Sequence, residues 1–421
     1  MKIKIPVILS TLLITLSTLS CVQEKQMPNI ILFYVDDMGW QDCSLPFYSE
    51  QTRLNRIYHT PNMEALAEEG MKFTQAYACA VCSPSRISLM TGMNGARHQV
   101  TNWTLRLNKS PDPKHKEITP PQWNMNGMTQ GEEVPLTVQA ITMPQLLKEA
   151  GYRTIHAGKA HFGAMGTPGE NPLNLGFDVN IGGHAAGGPG SYLGKYNFSA
   201  EWRNADRIWD VPGLDKYHGQ DIFLTEALTR EASAEIDRAV ADKKPFYLYM
   251  AHYAIHAPWE IDNRYYEKYQ VEGISEFEAV YASMIEGMDK SLGDLMEKLK
   301  EKGQWENTII IFMSDNGQPS QATLNKPLRG HKLLPYEGGI RVPLIVYWPD
   351  HTAKGSENSQ YVMVEDLFPT ILHMAGVNYS NKVSQVVDGK SFVPYLDDPE
   401  LRDETRPLFW HFPHTYDQFP Y

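Results

Sequence analysis

The stretch Asn29-Ile-Ile-Leu-Phe-Tyr-Val-Asp-Asp37 decides the fold. From Ile30 to Val35 it is aliphatic or aromatic at every position, without the alternation of a strand that has one wet face. Such a run is a strand buried on both faces, which belongs inside a sheet covered by helices on each side. Pro28 bounds it on one side and the acidic pair Asp36-Asp37 on the other. The two carboxylates therefore stand at the strand's carboxyl end, where open α/β sheets keep their ligands.

Working outward, Thr308 to Met313 repeats this design and ends in Ser314-Asp315-Asn316-Gly317, again a carboxylate at a strand's end. Phe246 to Met250 is a third strand, running into His252-Tyr-Ala-Ile-His256-Ala-Pro258. Shorter strands are expected at Arg153 to His156 and Leu344 to Tyr347. Between them lie helical patterns. Asn62 is placed to cap Met63 to Glu69, which Gly70 ends. Met143 to Ala150, Thr225 to Val240, Phe277 to Lys300 and Val364 to Ala375 follow. In Phe277 to Lys300, the longest, Met284, Met288, Leu292, Leu295 and Leu299 form a buried stripe. Strands alternating with helices predict an α/β fold: a large, mixed, mostly parallel sheet sandwiched by helices.

Two segments fit no regular element. Met93 to Val138 lacks periodicity and is rich in Asn, Pro and Trp. A long irregular stretch inside a compact domain is usually functional or disordered. Trp103, Arg106 and Trp123 suit sugar stacking and anion contact, so it reads as a substrate-binding loop, with His98 either on its rim or structural. Gly182 to Gly190 is glycine-rich but lacks the strand and helix context of a nucleotide loop. It reads as a lining loop, with His184 as a possible substrate contact.

The chain has 38 basic and 50 acidic residues, a net charge of −12, and shows no footprint for nucleic acid. Lys2 and Lys4 precede the apolar run Ile5 to Leu19, which is too short to span a bilayer and reads as a secretory signal over residues 1–21. Thr-Leu-Ser-Cys21 resembles a lipoprotein box, although Thr18 stands where Leu is usual. Lipidation of Cys21 then gives the only membrane attachment, residues 22–27 form a tether, and the protein is periplasmic or on the cell surface. Ordinary signal cleavage is the alternative. Four cysteines form no disulfide framework, although Cys79 and Cys82 have a redox-type spacing.

Cys82 opens the run Cys82-Ser-Pro-Ser-Arg86, which continues through Ile87, Leu89 and Met90 to Thr91-Gly92. Further blocks are Asp36-Asp-Met-Gly-Trp-Gln-Asp42, Gly158-Lys-Ala-His-Phe-Gly163 and His256-Ala-Pro258. Together they resemble the type I sulfatases of the alkaline phosphatase superfamily, over roughly residues 29–395. The resemblance implies that Cys82 is converted to formylglycine by a formylglycine-generating enzyme or an anaerobic maturase. Hydrated, that aldehyde offers one hydroxyl to attack sulfur and a second whose ionisation expels sulfate. It implies a calcium ion, with magnesium the less favoured choice, held by Asp36, Asp37, Asp315 and Asn316 with residue 82. The protein donors are hard oxygens, which suit these cations. Arg86 and Lys159 would hold the modified residue, His161 would release sulfate, and His256 and Lys332 would bind sulfate and protonate the leaving oxygen. Extended backbone would put Lys159 and His161 on one side.

The implied substrate is a sulfated carbohydrate, of galactose type, touched by Trp103, Arg106 and His184. Phe409-Trp-His-Phe-Pro-His414 also looks like bacterial carbohydrate sulfatases. Two other readings stay open here. A phosphatase or phosphodiesterase of the same superfamily would use Ser or Thr and two metal ions, and paired sulfate and phosphate ester assays separate it. A catalytically dead glycan-binding lipoprotein would keep a thiol at residue 82. The catalytic domain is assigned to residues 28–395 and the start of an incomplete C-terminal subdomain to 396–421. The expectation is apolar surface left bare, unless the aromatic tail folds back and seals it.

Overall fold

The computed structural model describes residues 27–114, 116–119, 121–131, 133–322 and 326–414. Its centre is a nine-stranded sheet. The strands are β1 (Asn29–Val35), β2 (Met71–Tyr77), β3 (Arg153–Gly158), β4 (Val179–Ile181), β5 (Phe246–Ala251), β6 (Thr308–Ser314), β7 (Arg341–Tyr347), β8 (Ser356–Asn358) and β9 (Val362–Met363). Their spatial order is β8-β2-β7-β6-β1-β5-β3-β4, with β9 also paired to β2. Strand β1 lies between β6 and β5, parallel to both. Only β7 runs the other way, antiparallel to β6 and to β2. Two reversals restore direction, so β2 points the same way as β1 and its carboxyl end reaches the same edge.

Both faces of β1 are buried, as its sequence requires. Ile31, Phe33 and Val35 enter one apolar cluster, and Ile30, Leu32 and Tyr34 enter the other. The first cluster is closed by the helices α1 (Pro61–Glu69), α4 (Leu224–Ala241) and α5 (Glu276–Glu301). The second is closed by α2 (Cys82–Thr91), α3 (Met143–Glu149) and α6 (Leu367–Met374). The predicted stripe of α5 is buried at Met284, Met288, Leu292, Leu295 and Leu299. Ser275 and Glu278 cap α5 reciprocally.

Two boundaries differ from expectation. Helix α1 opens at Pro61 rather than after Asn62, and its N-cap residue Thr60 makes no side-chain cap bond. The carboxylate of Asp289, on α5, does that work: it accepts from the backbone of Met63 at 2.8 Å and of Asn62 at 3.1 Å. A cap supplied from 226 residues away leaves no local signal. The segment expected as one helix from Val364 is a 3-10 turn, Val364–Asp366, followed by α6. Asp289→Ala should orphan these buried donors and cost about 3 kcal/mol. A thermal melt unchanged by this substitution would contradict the tertiary cap.

The last described residues fold back on the domain. Leu408, Trp410 and Phe412 pack on Tyr77, Ala80, Ile340 and Met363. Trp410 donates its indole N–H to the Ala78 carbonyl at 3.0 Å. The His414 ring contacts Asp112 at 2.7 Å and Thr101 at 2.8 Å. The chain up to His414 thus lies against the domain, with Phe409 left 62% exposed. Cys21 and the signal segment lie outside the described residues. No helix among the described residues is long and apolar enough to cross a membrane.

Candidate active site

The parallel strands deliver their following residues to one edge. Val35 pairs with Ser314, so Asp36-Asp37 and Asp315-Asn316 emerge side by side. Gly158 pairs with Ala251, which brings Lys159 and the His252–His256 turn beside them. The end of β2 leads into α2, whose first residue is Cys82. All ten residues of α2 are buried. Within this turn Ser85 accepts the Cys79 amide at 2.9 Å. Ser83 accepts the Thr104 amide at 3.1 Å, tying the long loop to the residue beside Cys82.

Asp36, Asp37 and Asp315 converge, each with an oxygen within 4.8 Å of the others. One cation meets each of them. Lys159 Nζ lies 2.7 Å from Asp36, Lys332 Nζ 2.5 Å from Asp37, and Arg86 Nη2 2.8 Å from Asp315. Arg86 also donates to the Lys159 carbonyl at 2.9 Å. Arg86 and Asp315 are wholly excluded from solvent, and so are Lys159 and Asp36. Burial and the neighbouring Asp315 push the Asp36 carboxyl up, while Lys159 pulls it down. Burial also acts to raise Asp37, but Lys332 and His256 overcome it and hold that carboxyl well below the usual range.

The donor set fits a hard cation. Asp36 Oδ1 and Asn316 Oδ1 are buried without a hydrogen-bond partner, which is costly for oxygen lone pairs unless something positive takes them. Asn316 spends its amide nitrogen on Asp37 at 2.8 Å, which leaves its carbonyl oxygen to act as a ligand. The acidic triad is thus suited to hold a metal ion.

Both site histidines have assigned tautomers, because each faces a carbonyl that can only accept. His161 Nε2 donates to the Thr104 carbonyl at 2.7 Å, and its Nδ1 is buried and unpartnered. His256 Nδ1 donates to the Ala257 carbonyl at 2.7 Å, and its Nε2 lies 3.9 Å from Asp37. Burial, then the cations Lys332 and Lys159, lower His256 to about 3 despite Asp37. Burial and Lys159 lower His161 likewise. Burial pushes the Cys82 thiol up. That direction disfavours a thiolate nucleophile.

The extended backbone expected around Lys159 does not continue. His161 has a φ of 56°, a left-handed turn, so the two side chains reach the site by a bend and not by alternation. Asp37 is left-handed too, with a φ of 63°. Such conformations cost energy in non-glycine residues and concentrate at functional sites. The glycine-rich loop is a lining loop, as predicted, because a side chain would not fit. A Cβ on Gly187 would lie 2.4 Å from the His161 ring, and one on Gly188 would lie 2.8 Å from His256.

The predicted loop residues fare differently. Arg106 is paired with Asp206. Trp103 is half-buried beside Leu105, Ala186 and Ile208. Trp123 is 2% exposed with its indole N–H on Ser110, so it cannot stack on a sugar. His98 is structural, with both ring nitrogens bonded, to Ser88 and to the Val100 amide. His184 is nearly buried, and its carbonyl accepts the His161 amide at 3.1 Å. Sequence reasoning missed Tyr192, whose hydroxyl donates to the carbonyls of Tyr253 at 2.6 Å and His256 at 2.8 Å. It also missed Tyr249, whose hydroxyl accepts from Arg86 at 3.3 Å. A lone tyrosine carries no pattern that could have flagged either.

A buried carboxylate triad, three paired cations and two histidines bonded to backbone carbonyls at the carboxyl edge of this sheet fit an ester hydrolase with an alkaline phosphatase-like fold. Residues 28–377 match the family model "Sulfatase". The chain is 32% identical over 416 residues to N-acetylgalactosamine-6-sulfatase of Mus musculus, covering 95% of this chain and 72% of that protein. It is 30% identical over 441 residues to a sulfatase of Formosa agariphila, covering 92% and 76%. The crystal structure of Ps i-CgsB in complex with k-i-k-neocarrahexaose superposes with a TM-score of 0.68 at 30% identity, over 88% of this chain and 76% of that one. The chain belongs to the sulfatase family and is a sulfuric ester hydrolase.

Proposed function

We propose that this enzyme removes sulfate from galactose-type saccharides, with a formylglycine made from Cys82 and a calcium ion held by Asp36, Asp37, Asp315 and Asn316. The observation that carries this reading is the buried carboxylate triad with its three paired cations at one sheet edge, where Lys159, Lys332, Asp36 and Asp315 act electrostatically on Cys82. The sugar class is supported by the similar proteins, an N-acetylgalactosamine-6-sulfatase and a structure in complex with a neocarrahexaose. A formylglycine supplies a carbon-centred oxygen nucleophile together with an exit for sulfate. It also puts oxygen where a thiol would offer a hard cation only soft sulfur. Calcium, when bound, would draw on the orphaned oxygens of Asp36 and Asn316 and set positive charge against sulfate.

The chain's own groups have separate tasks. Arg86 fixes Asp315 and, through the Lys159 carbonyl, the strand end beside it. Lys159 and Lys332 are ammonium groups beside Cys82, placed to hold anionic oxygens. His161, with Nδ1 unpartnered, is placed to accept a proton. His256 is neutral here; a sulfate arriving beside it raises its proton affinity, so that it can carry a proton to the leaving oxygen. Trp103, Arg106 and His184 form or back the rim that meets the sugar. Cys82 is 2% exposed, so the maturing enzyme must reach it before the fold closes. Export and anchoring through lipidated Cys21 complete the proposal. Mass spectrometry of the peptide containing residue 82 tests its centre. The expected product is an aldehyde that reacts with hydrazide reagents; an unmodified thiol in fully active enzyme would refute it.

A further inference from the structure

We propose that Trp202, stacked on Tyr196, is the platform for a second pyranose ring of the saccharide, one unit removed from the sulfated sugar. This rests on the saccharide sulfatase reading above. The two rings are 5.0 Å apart between centroids and nearly coplanar, at 9°. Trp202 is 44% exposed and Tyr196 37%. Lys195 Nζ lies over the Tyr196 ring, 5.1 Å from its centroid. Trp202 is the more exposed of the two rings, so its outer face is the one assigned to the sugar. A rigid aromatic face kept in water, with a polar tip, is the surface on which a sugar's C–H face packs.

The platform is joined to the site by short links. The Trp202 indole N–H reaches the Gly190 carbonyl at 3.4 Å. Gly190 is pressed against the same segment, since a Cβ there would lie 2.3 Å from the Ala200 nitrogen. Gly188, two residues earlier, lies against His256, and Gly187 against His161. From the other side, the Arg106–Asp206 pair and the packing of Trp103 near Ile208 bind the segment to the long loop. The segment bearing Trp202 thus borders the glycine loop that roofs both histidines. A saccharide chain that leaves the sulfate pocket on this side would be seated against Trp202. Lys195 and Arg203, both exposed and next in sequence to the two rings, supply donors for hydroxyl or sulfate oxygens.

The test compares kcat/KM for a sulfated galactan tetrasaccharide and for 4-nitrophenyl sulfate in the mature, metal-loaded enzyme. Trp202→Ala should lower the ratio of the two by about tenfold, mainly through KM for the tetrasaccharide. Trp202→Phe, which keeps a flat ring, should recover most of the ratio. Tyr196→Ala, which removes the backing ring, should give an intermediate ratio. An unchanged ratio in Trp202→Ala, or a ratio equally lowered by Trp202→Phe, overturns the platform while leaving the sulfatase reading intact. An unmutated enzyme that turns over neither ester sinks both together.

Discussion

Cys82→Ala should abolish sulfate ester hydrolysis while leaving the fold in place. The loss should be at least about 10³-fold, the scale seen when a nucleophile is removed from a group of residues acting together. Cys82 is the first residue of a helix buried along its length, and its N-terminal turn is held by Ser85 and Ser83 rather than by the thiol. Shortening it by one sulfur atom should therefore change stability by about 1 kcal/mol or less. Turnover of 4-nitrophenyl sulfate and a thermal melt read the two effects separately. Turnover unchanged in the purified variant would remove Cys82 from the chemistry altogether. A collapse of the melt would make its role structural.

The second large effect is expected at Asp315. Its carboxylate takes two bonds from Arg86, Nε at 3.0 Å and Nη2 at 2.8 Å, inside a region closed to water. It is also one member of the acidic triad. Asp315→Asn leaves the Arg86 charge buried without a countercharge, which costs about 3–5 kcal/mol. It also removes one negative charge from the cation site, so activity should fall even where the variant stays folded. Chelation of the unmutated enzyme separates the two causes. It should abolish turnover without disturbing the Arg86 pair, and calcium should restore it. Metal analysis finding zinc as the sole functional ion would contradict the oxygen-donor argument.

Much of the catalytic centre was legible because each part is local. A doubly buried strand announces itself by composition, and a carboxylate just past its end needs no tertiary information. That is why Asp36, Asp37, Asp315 and Asn316 could each be set at a strand end, while their grouping into one site came from the family resemblance. The wall around the centre was not legible. Trp123 and Trp103 carry the same sequence signal, a tryptophan in a long polar loop, yet the first is buried against His414 and the second is only half-buried beside Leu105, Ala186 and Ile208. Which of them faces the substrate depends on what packs behind, and those partners come from segments far along the chain. The backbone between Lys159 and His161 bends through a left-handed residue where extended chain was expected, because a backbone dihedral leaves no mark in residue type when the residue is not glycine.

The sequence by itself determined the sheet class, the strand ends that carry the acids, and the family blocks around Cys82, Lys159 and His256. Each is written in a short run of residues, by hydrophobic period or by motif. Only the tertiary structure decided which cation pairs with which acid, which nitrogen of each histidine meets a backbone carbonyl, and which aromatic rings are buried. Those outcomes depend on hydrogen-bond partners and packing between segments far apart in the chain, as between Arg86 and Asp315, 229 residues from one another. Such distances are fixed by the sheet's order and register, which no single stretch contains.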